Sequence, residues 1–154
     1  MLSFRFANKN DADLFFRWSS DRVTRENSYN TADIEYHDHV DWFYKRINNP
    51  DILMYVFMNE DKVEVGQVRI ESSGIGESKI SISVDAEMRG LGHGAEMIKI
   101  ATKDYLGKNP GKNILAFIFK NNEASKRSFI KAGFKYLKEV SIKNIPSFVF
   151  KIES

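Results

Sequence analysis

The 154-residue sequence contains no cysteine and only three prolines. The lack of cysteine excludes disulfide bonds, thiolate zinc sites and a cysteine nucleophile. No apolar run approaches the ~18 residues that a membrane span needs, and the first residues lack the basic-then-apolar layout of a signal peptide. We therefore expect a cytoplasmic protein that makes no use of a membrane.

An excess of charge of one sign is also missing. The chain has 23 Lys and Arg against 21 Asp and Glu, a net charge of +2, and this balance does not favour nucleic-acid binding. The composition, 42% hydrophobic and 29% charged, is typical of a globular protein, and the length predicts one domain, residues 1–154. His37 and His39 would lie on different faces of a helix, so no metal site is expected. The oligomeric state stays open between a monomer and a homodimer.

Hydrophobic periodicity predicts a chain of seven strands and four helices. The predicted strands are Leu2–Ala7, Leu53–Asn59, Val63–Glu71, Lys79–Val84, Asn113–Phe119, Phe134–Val140 and Ser147–Ile152. The predicted helices are one capped by Asn10 or Asp11 and ending at Ser19, then Asp33–Ile47, Ala95–Leu106 and Asn122–Ala132. Residues 20–32 are polar and predict a loop with room for one helical turn, and Ser72–Ser78 predicts a glycine-containing turn.

The most informative segment is Arg89-Gly90-Leu91-Gly92-His93-Gly94-Ala95, which lies between a predicted strand and a predicted helix. Its glycines remove side chains where backbone can approach a ligand, and the helix start offers free N–H groups to an anion. Arg89 adds a planar cation. The segment lacks the Lys-Ser or Lys-Thr of a Walker A loop and the glycine spacing of a dinucleotide-binding fold. We interpret it as a pyrophosphate-binding loop.

The pattern Arg-x-x-Gly-x-Gly after a strand resembles the acetyl-CoA loop of the GNAT superfamily of N-acetyltransferases. A second block fits the same family, because Asn122-x-x-Ser125 is followed by Phe129 and by Gly133-Phe134. The resemblance implies an α/β (α+β) fold with a central mixed, mostly antiparallel sheet of about seven strands and about four helices. It also implies a splay of the sheet at the strand ending near Val84, with acetyl-CoA as co-substrate and a small-molecule amine as acceptor.

The resemblance further assigns cofactor-binding residues. Ile82 and Val84 would pair with pantetheine through their backbone, as an added strand does. Arg89, Gly90, Gly92 and Gly94 would hold the pyrophosphate, and Leu91, His93 and Ala95 would contribute backbone contacts around them. Asn122 and Ser125 would lie near the thioester, where Ser125 is a candidate catalytic residue; simple helix capping is the alternative for both.

The sequence departs from the family at one position. Many relatives have a tyrosine four residues before the Gly-Phe pair that protonates the departing thiolate, and this chain has Phe129 there. A phenyl ring has no proton to give. Coenzyme A thiolate is a fair leaving group by itself, so an acid can be dispensable, or water or a hydroxyl such as that of Tyr105 or Tyr136 can replace it.

The N-terminal third and the third predicted strand supply candidate acceptor-binding residues. These segments resemble a GNAT branch that acetylates nucleotide-linked amino sugars, as in pseudaminic-acid-type pathways. The candidates are Arg25, Asn27, Ser28, His39, Trp42, Gln67 and Arg69. His39 is also the candidate base, since an imidazole titrates near neutral pH. For His39 a structural role within the helix, and for Trp42 a place in the core, are the alternatives.

Three functions follow as hypotheses. The preferred one is direct acetyl transfer from acetyl-CoA to a primary amine of a nucleotide-linked amino sugar. The second is acetylation of a protein N-terminus, as for ribosomal proteins. The third is a non-catalytic acyl-CoA-binding module, which the phenylalanine at position 129 keeps open.

Overall fold

A computed structural model describes residues 1–73 and 76–154 of the chain and shows seven strands and five α-helices within them. The strands are β1 (Ser3–Phe6), β2 (Ile52–Met58), β3 (Glu64–Ser72), β4 (Glu77–Val84), β5 (Asn113–Phe119), β6 (Lys135–Ile142) and β7 (Ile145–Glu153). The α-helices are α1 (Ala12–Ser20), α2 (Arg22–Glu26), α3 (Tyr36–Ile47), α4 (His93–Lys108) and α5 (Glu123–Lys131). Short 3-10 helices at Lys9–Asp11 and Ala86–Met88 precede α1 and the loop before α4.

The strands form one sheet in the order β1-β2-β3-β4-β5-β7-β6. Every neighbouring pair is antiparallel except β4 and β5, which are parallel. The parallel pairing runs from Glu77 opposite Asn113 to Ile80 opposite Ala116 and goes no further. Beyond that point β4 stays paired with β3 up to Val84, and β5 stays paired with β7 up to Phe119. The sheet therefore opens between β4 and β5, as the predicted splay near Val84 requires.

Two hydrophobic clusters cover the two faces of the sheet. On one face, side chains of α4 and α5 such as Met97 and Phe129 pack on Val68 and Ile80. On the other face, Phe15 and Trp18 of α1 and Phe43 of α3 pack on Met54 and Val56 of β2. β2 is apolar along its whole length because it is a central strand covered on both faces.

The fold class predicted from the sequence is confirmed, with differences in detail. Residues 20–32, predicted as a loop, contain the five-residue helix α2. Helix α4 begins at His93 instead of Ala95, so two residues of the glycine loop belong to its first turn. Asn8 caps the 3-10 helix before α1, and the Asp11 carboxylate instead accepts hydrogen bonds from Arg5 and from the Asn8 N–H.

The remaining predictions concern a turn, membrane spans and metals. The strands enter further into the predicted turn Ser72–Ser78 than expected, and its residues 74 and 75 lie outside the described residues. No helix in the described part of the chain is long and apolar enough to cross a membrane. The same residues contain no group of three His, Asp or Glu side chains placed to hold a metal ion.

Candidate active site

A cleft of about 830 Å³ lies where β4 and β5 separate. Its walls come from both faces of the sheet. One half is formed by the end of β4, the glycine loop and the starts of α4 and α5. The other half is formed by α2 and the residues after it, together with the polar faces of β3 and β4. We call these the loop half and the α2 half.

The backbone of the loop half is built to receive an anion. Gly90 and Gly92 have φ angles of 78° and 81°, the left-handed region in which a side chain is strained. Gly92 is the N-cap of α4, and no side chain caps that helix start. A Cβ built on Gly92 would meet nothing within 4 Å, so the space beside it is open. The N–H groups and the positive end of α4 are thus available to a phosphate.

Arg89 is the cation of this loop, and an acidic residue from the other half already contacts it. Its Nη2 donates to Asp21 Oδ2 at 2.6 Å, and the two side chains are 33% and 23% exposed. Asp21 is also the N-cap of α2 and accepts a hydrogen bond from the Thr24 N–H. Burial raises the pKa of the Asp21 carboxyl, but the hydrogen bonds from Arg89 and Thr24 outweigh it and the net pKa is lowered.

The free edge of β4 supplies extended backbone beside the loop. Ile82 and Val84 line the cleft past the last residue that pairs with β5. Backbone amides at such an edge suit an extended amide-bearing chain such as pantetheine. Gly94 lies in the adjoining first turn of α4, where a Cβ would be 3.1 Å from Ser128 Oγ, so its lack of a side chain lets α4 and α5 approach closely. Ala95, His93 and Gly92 line the cleft as well, whereas Leu91 is 64% exposed and does not.

The predicted thioester-facing residues on α5 lie in the same cleft. Asn122 is the N-cap of α5, where its Oδ1 accepts the Ser125 N–H at 3.2 Å, so the capping alternative describes its observed contact. Both residues nevertheless line the cleft, together with Ser128 and Phe129. The Phe129 ring is 4% exposed and packs edge-on against Phe134. Tyr105 and Tyr136, considered as replacement acids, do not line the cleft, since Tyr105 bonds Ser78 in the core and Tyr136 packs outside on Phe148.

Five of the seven predicted acceptor residues line the α2 half: Arg25, Asn27, Ser28, Gln67 and Arg69. The Arg25 guanidinium is already bonded within the chain, to the carbonyls of Ser19 and Asn30 and to Ser28 Oγ. Its visible role is to hold the segment after α2 in place. The side chain of Asn27 likewise bonds the Val23 carbonyl.

Gln67 and Arg69 occupy alternate positions on β3 and therefore share a face with Ser81 and Ser83 of β4. Gln67 Nε2 donates to Ser83 Oγ at 3.2 Å, while Gln67 Oε1 and Arg69 Nε are buried without a hydrogen-bond partner in the described chain. Arg69 stacks on the Trp42 ring at 5.1 Å and lies 3.8 Å from a Glu71 oxygen. Burial lowers the pKa of Arg69, but a guanidinium is still charged at neutral pH.

Neither His39 nor Trp42, the other two predicted acceptor residues, lines the cleft. His39 is 3% exposed, its Nε2 donates to the Ala12 carbonyl at 3.1 Å, and its ring stacks with those of Trp42 and Phe43. These contacts agree with the alternative of a structural role, because the hydrogen bond from His39 to Ala12 joins α3 to α1. Burial also lowers the pKa of His39, so the imidazole is neutral at pH 7 but has no route to an acceptor. The Trp42 ring contacts Arg69, which lines the cleft, but Trp42 does not line the cleft itself.

Several cleft residues were missed by the sequence analysis: Tyr29, Ser81, Ser83, Phe117, Phe119 and Ser128. Tyr29 donates to Ser147 Oγ at 2.7 Å and packs edge-on against Phe119. The Tyr29 side chain thus contacts β5 and β7 at Phe119 and Ser147, which lie 90 and 118 residues further along the chain. The alternation of serines with isoleucines along β4 was the signal that could have placed Ser81 and Ser83 on the polar face.

A sheet opened beside one strand, with an uncapped helix start and a glycine loop at the opening, is suited to binding an extended phosphate-bearing ligand such as a coenzyme A thioester. The chain matches the Acetyltransferase (GNAT) domain over residues 2–135 and belongs to this family. It is a GNAT-type N-acetyltransferase whose co-substrate is acetyl-CoA. No curated protein sequence matches the chain.

Solved structures share the fold at low sequence identity. Spermidine N-acetyltransferase from Vibrio cholerae in complex with CoA and spermine superposes with a TM-score of 0.85 at 14% identity, covering 98% of this chain and 94% of that one. Aminoglycoside acetyltransferase AAC(6')-Ib in complex with coenzyme A gives 0.82 at 15%, covering 99% and 95%. A putative phosphinothricin N-acetyltransferase gives 0.79 at 21%, covering 99% and 98%.

Proposed function

We propose that this acetyltransferase acts on a primary amine of an amino sugar, with nucleotide-linked amino sugars as the preferred acceptors. The observation that carries the proposal is the polar face of β3 and β4 in the same cleft as the glycine loop. Gln67, Ser81 and Ser83 offer neutral hydrogen-bonding groups suited to sugar hydroxyls, and Arg69 offers a cation suited to a phosphate.

In this proposal the loop half holds the nucleotide end of acetyl-CoA. Arg89 and the first N–H groups of α4 contact the pyrophosphate, and the edge of β4 from Ile82 to Val84 pairs with the pantetheine amides. The thioester then lies near Ser125, Ser128 and Phe129, at the boundary with the α2 half. The acceptor amine enters from the α2 half and meets it there.

The reaction is direct transfer. The amine nitrogen forms a bond to the thioester carbonyl carbon, the carbon–sulfur bond breaks, and the proton lost by nitrogen is taken up by the thiolate or by water. Phe129 donates no proton, so the thiolate departs without a protein acid at that position. His39 is not used as a base because its imidazole is buried against the Ala12 carbonyl.

The relatives illustrate the range of acceptors on this fold. The Vibrio cholerae enzyme forms a complex with CoA and spermine, and an aminoglycoside acetyltransferase forms one with coenzyme A and kanamycin. Kanamycin carries amino groups on sugar rings, and it supports an amino-sugar acceptor here. The Arg69 cation and the small positive net charge of the chain argue against polycationic acceptors, spermine and kanamycin alike, so kanamycin supports the proposal only through its amino-bearing sugar rings.

The test is a thiol-release assay with acetyl-CoA and a panel of amines. The panel contains a UDP-linked amino sugar, glucosamine, spermidine and a short peptide with a free N-terminus. We expect the highest kcat/KM for the UDP-linked amino sugar and a lower value for glucosamine. Preference for the peptide would replace the proposal with N-terminal acetylation, and tight CoA binding without thiol release on any amine would favour an acyl-CoA-binding module.

A further inference from the structure

Two ion pairs join the segment from the end of α1 to the N-cap of α2 with the segment that leads into the glycine loop. Arg17 Nη2 contacts Asp85 Oδ2 at 2.7 Å, and Arg89 Nη2 contacts Asp21 Oδ2 at 2.6 Å. Each segment supplies one acid and one base, four residues apart: Arg17 and Asp21 on the first segment, and Asp85 and Arg89 on the second. Only one of the four residues, Arg89, lines the cleft.

The two pairs differ in what else their acids do. Asp85 accepts a second hydrogen bond from Trp18 Nε1 and caps the 3-10 helix Ala86–Met88, so it belongs to the framework. Asp21 caps α2, the helix that forms a wall of the α2 half. The carboxylate that holds the loop cation is thus the same group that begins the helix on the acceptor side.

We propose that Asp21 is a positioning residue for Arg89 and competes with the cofactor pyrophosphate for its guanidinium. The inference rests on the proposed role of Arg89 in holding the pyrophosphate. An arginine has five N–H donors, and Asp21 accepts one hydrogen bond, from Nη2. A pyrophosphate with its paired oxygens requires two adjacent donors and a guanidinium free to turn toward it.

The competition links the two halves of the cleft. The contact with Asp21 ties Arg89 to the start of α2. When the pyrophosphate takes Arg89, Asp21 keeps its hydrogen bond from the Thr24 N–H, so α2 stays capped but loses its ion pair with the loop. The neighbouring Arg17–Asp85 pair is kept, so cofactor binding loosens one of the two connections between the α2 half and the loop half.

The test is a calorimetric titration with coenzyme A of six proteins: wild type, Asp21→Asn, Asp21→Ser, Arg17→Gln, Arg89→Gln and the double variant Asp21→Asn with Arg89→Gln. Asparagine matches aspartate in shape and still caps a helix, so α2 is kept while the charge that holds Arg89 is removed. Asp21→Ser, another good cap residue, serves as a second version of the same change.

Asp21→Asn and Asp21→Ser should bind coenzyme A about two- to fivefold more tightly than wild type, the range expected for one partly exposed ion pair. Arg17→Gln breaks the neighbouring pair between the same segments and should leave the affinity unchanged. In the Arg89→Gln background, Asp21→Asn should give no gain, because the competition acts through Arg89.

Equal or weaker binding by both Asp21 variants would overturn the inference while leaving the proposed function intact. A gain that persists in the Arg89→Gln background would overturn it too, since Asp21 would then act on the pyrophosphate directly. The same gain in Arg17→Gln would attribute the effect to general loosening. Failure of wild type to bind coenzyme A would refute the pyrophosphate assignment itself.

Discussion

Among the glycines that the structure describes, Gly66 of β3 is the one whose replacement we predict to be most damaging. It lies opposite Val84, at the end of β4 that borders the cleft. A Cβ at this position would overlap the backbone carbonyl oxygen of Ser83 and would lie 2.9 Å from the terminal methyl of Met97. The methionine side chain is flexible, but the Ser83 carbonyl belongs to the ladder between β3 and β4 and moves only if the strands separate.

We expect Gly66→Ala to lower the free energy of unfolding by about 2–3 kcal/mol, the upper part of the range for added volume in a packed core. For a chain of this size that corresponds to a fall in Tm of roughly 4–12 °C, which calorimetry or circular dichroism would measure. Gly107→Ala is the matched control. Gly107 lies within α4, a Cβ there would meet nothing within 4 Å, and alanine should be neutral or stabilising by up to about 1 kcal/mol. A Gly66→Ala protein as stable as wild type, or an equal loss in both variants, would refute the reasoning.

Three further predictions concern the chemistry and the histidine outside the cleft. His39→Gln should keep the maximal rate within a factor of about three, because the ring is not at the acceptor. Burial lowers the pKa of His39, so the unfolded chain takes up a proton at a higher pH than the folded protein does. The stability that the neutral ring contributes is therefore present above pH ~6.5 and is lost as the pH falls below that value. The Tm of wild type should fall accordingly, and the Tm of His39→Gln should lack that decline. Phe129→Tyr should change the maximal rate by less than about threefold. A gain of ~10²-fold, which a general acid can supply, would instead show that the natural protein lacks an acid that it needs. Intact-protein mass after incubation with acetyl-CoA should show no stable acetyl adduct on the active site, and parallel-line kinetics would contradict direct transfer.

The glycine loop and most strands could be predicted from the sequence because their signals are local. Three glycines within five residues, a preceding strand and a following helix lie within one short stretch of chain. The alternation of Ile80 and Ile82 with serines likewise shows a strand with one apolar face. The splay of the sheet near Val84 was predicted correctly from the family resemblance, which covers nearly the whole chain.

The contacts of the α2 half and of His39 could not be predicted in this way, because they depend on how the chain folds around these residues. Periodicity places His39 on a helix but does not show that this face turns toward the Ala12 carbonyl, 27 residues earlier. An arginine in a polar segment looks available for a phosphate, yet Arg25 is used by three nearby groups once α2 forms. The pair of Asp21 with Arg89 spans 68 residues, and neither residue alone suggests the other.

The central claim, that the loop from Arg89 to Ala95 holds the pyrophosphate of acetyl-CoA, is tested most directly by titrating coenzyme A into Gly92→Val. A branched side chain would fill the open space beside the start of α4 and strain a left-handed backbone position. Gly111→Val is the control, since Gly111 has a similar φ of 84° in open space but does not line the cleft. We expect Gly92→Val to lose at least about tenfold in affinity, or 1.4 kcal/mol, while folded Gly111→Val binds as wild type does. Unchanged affinity in Gly92→Val, or an equal loss in both variants, would contradict the claim.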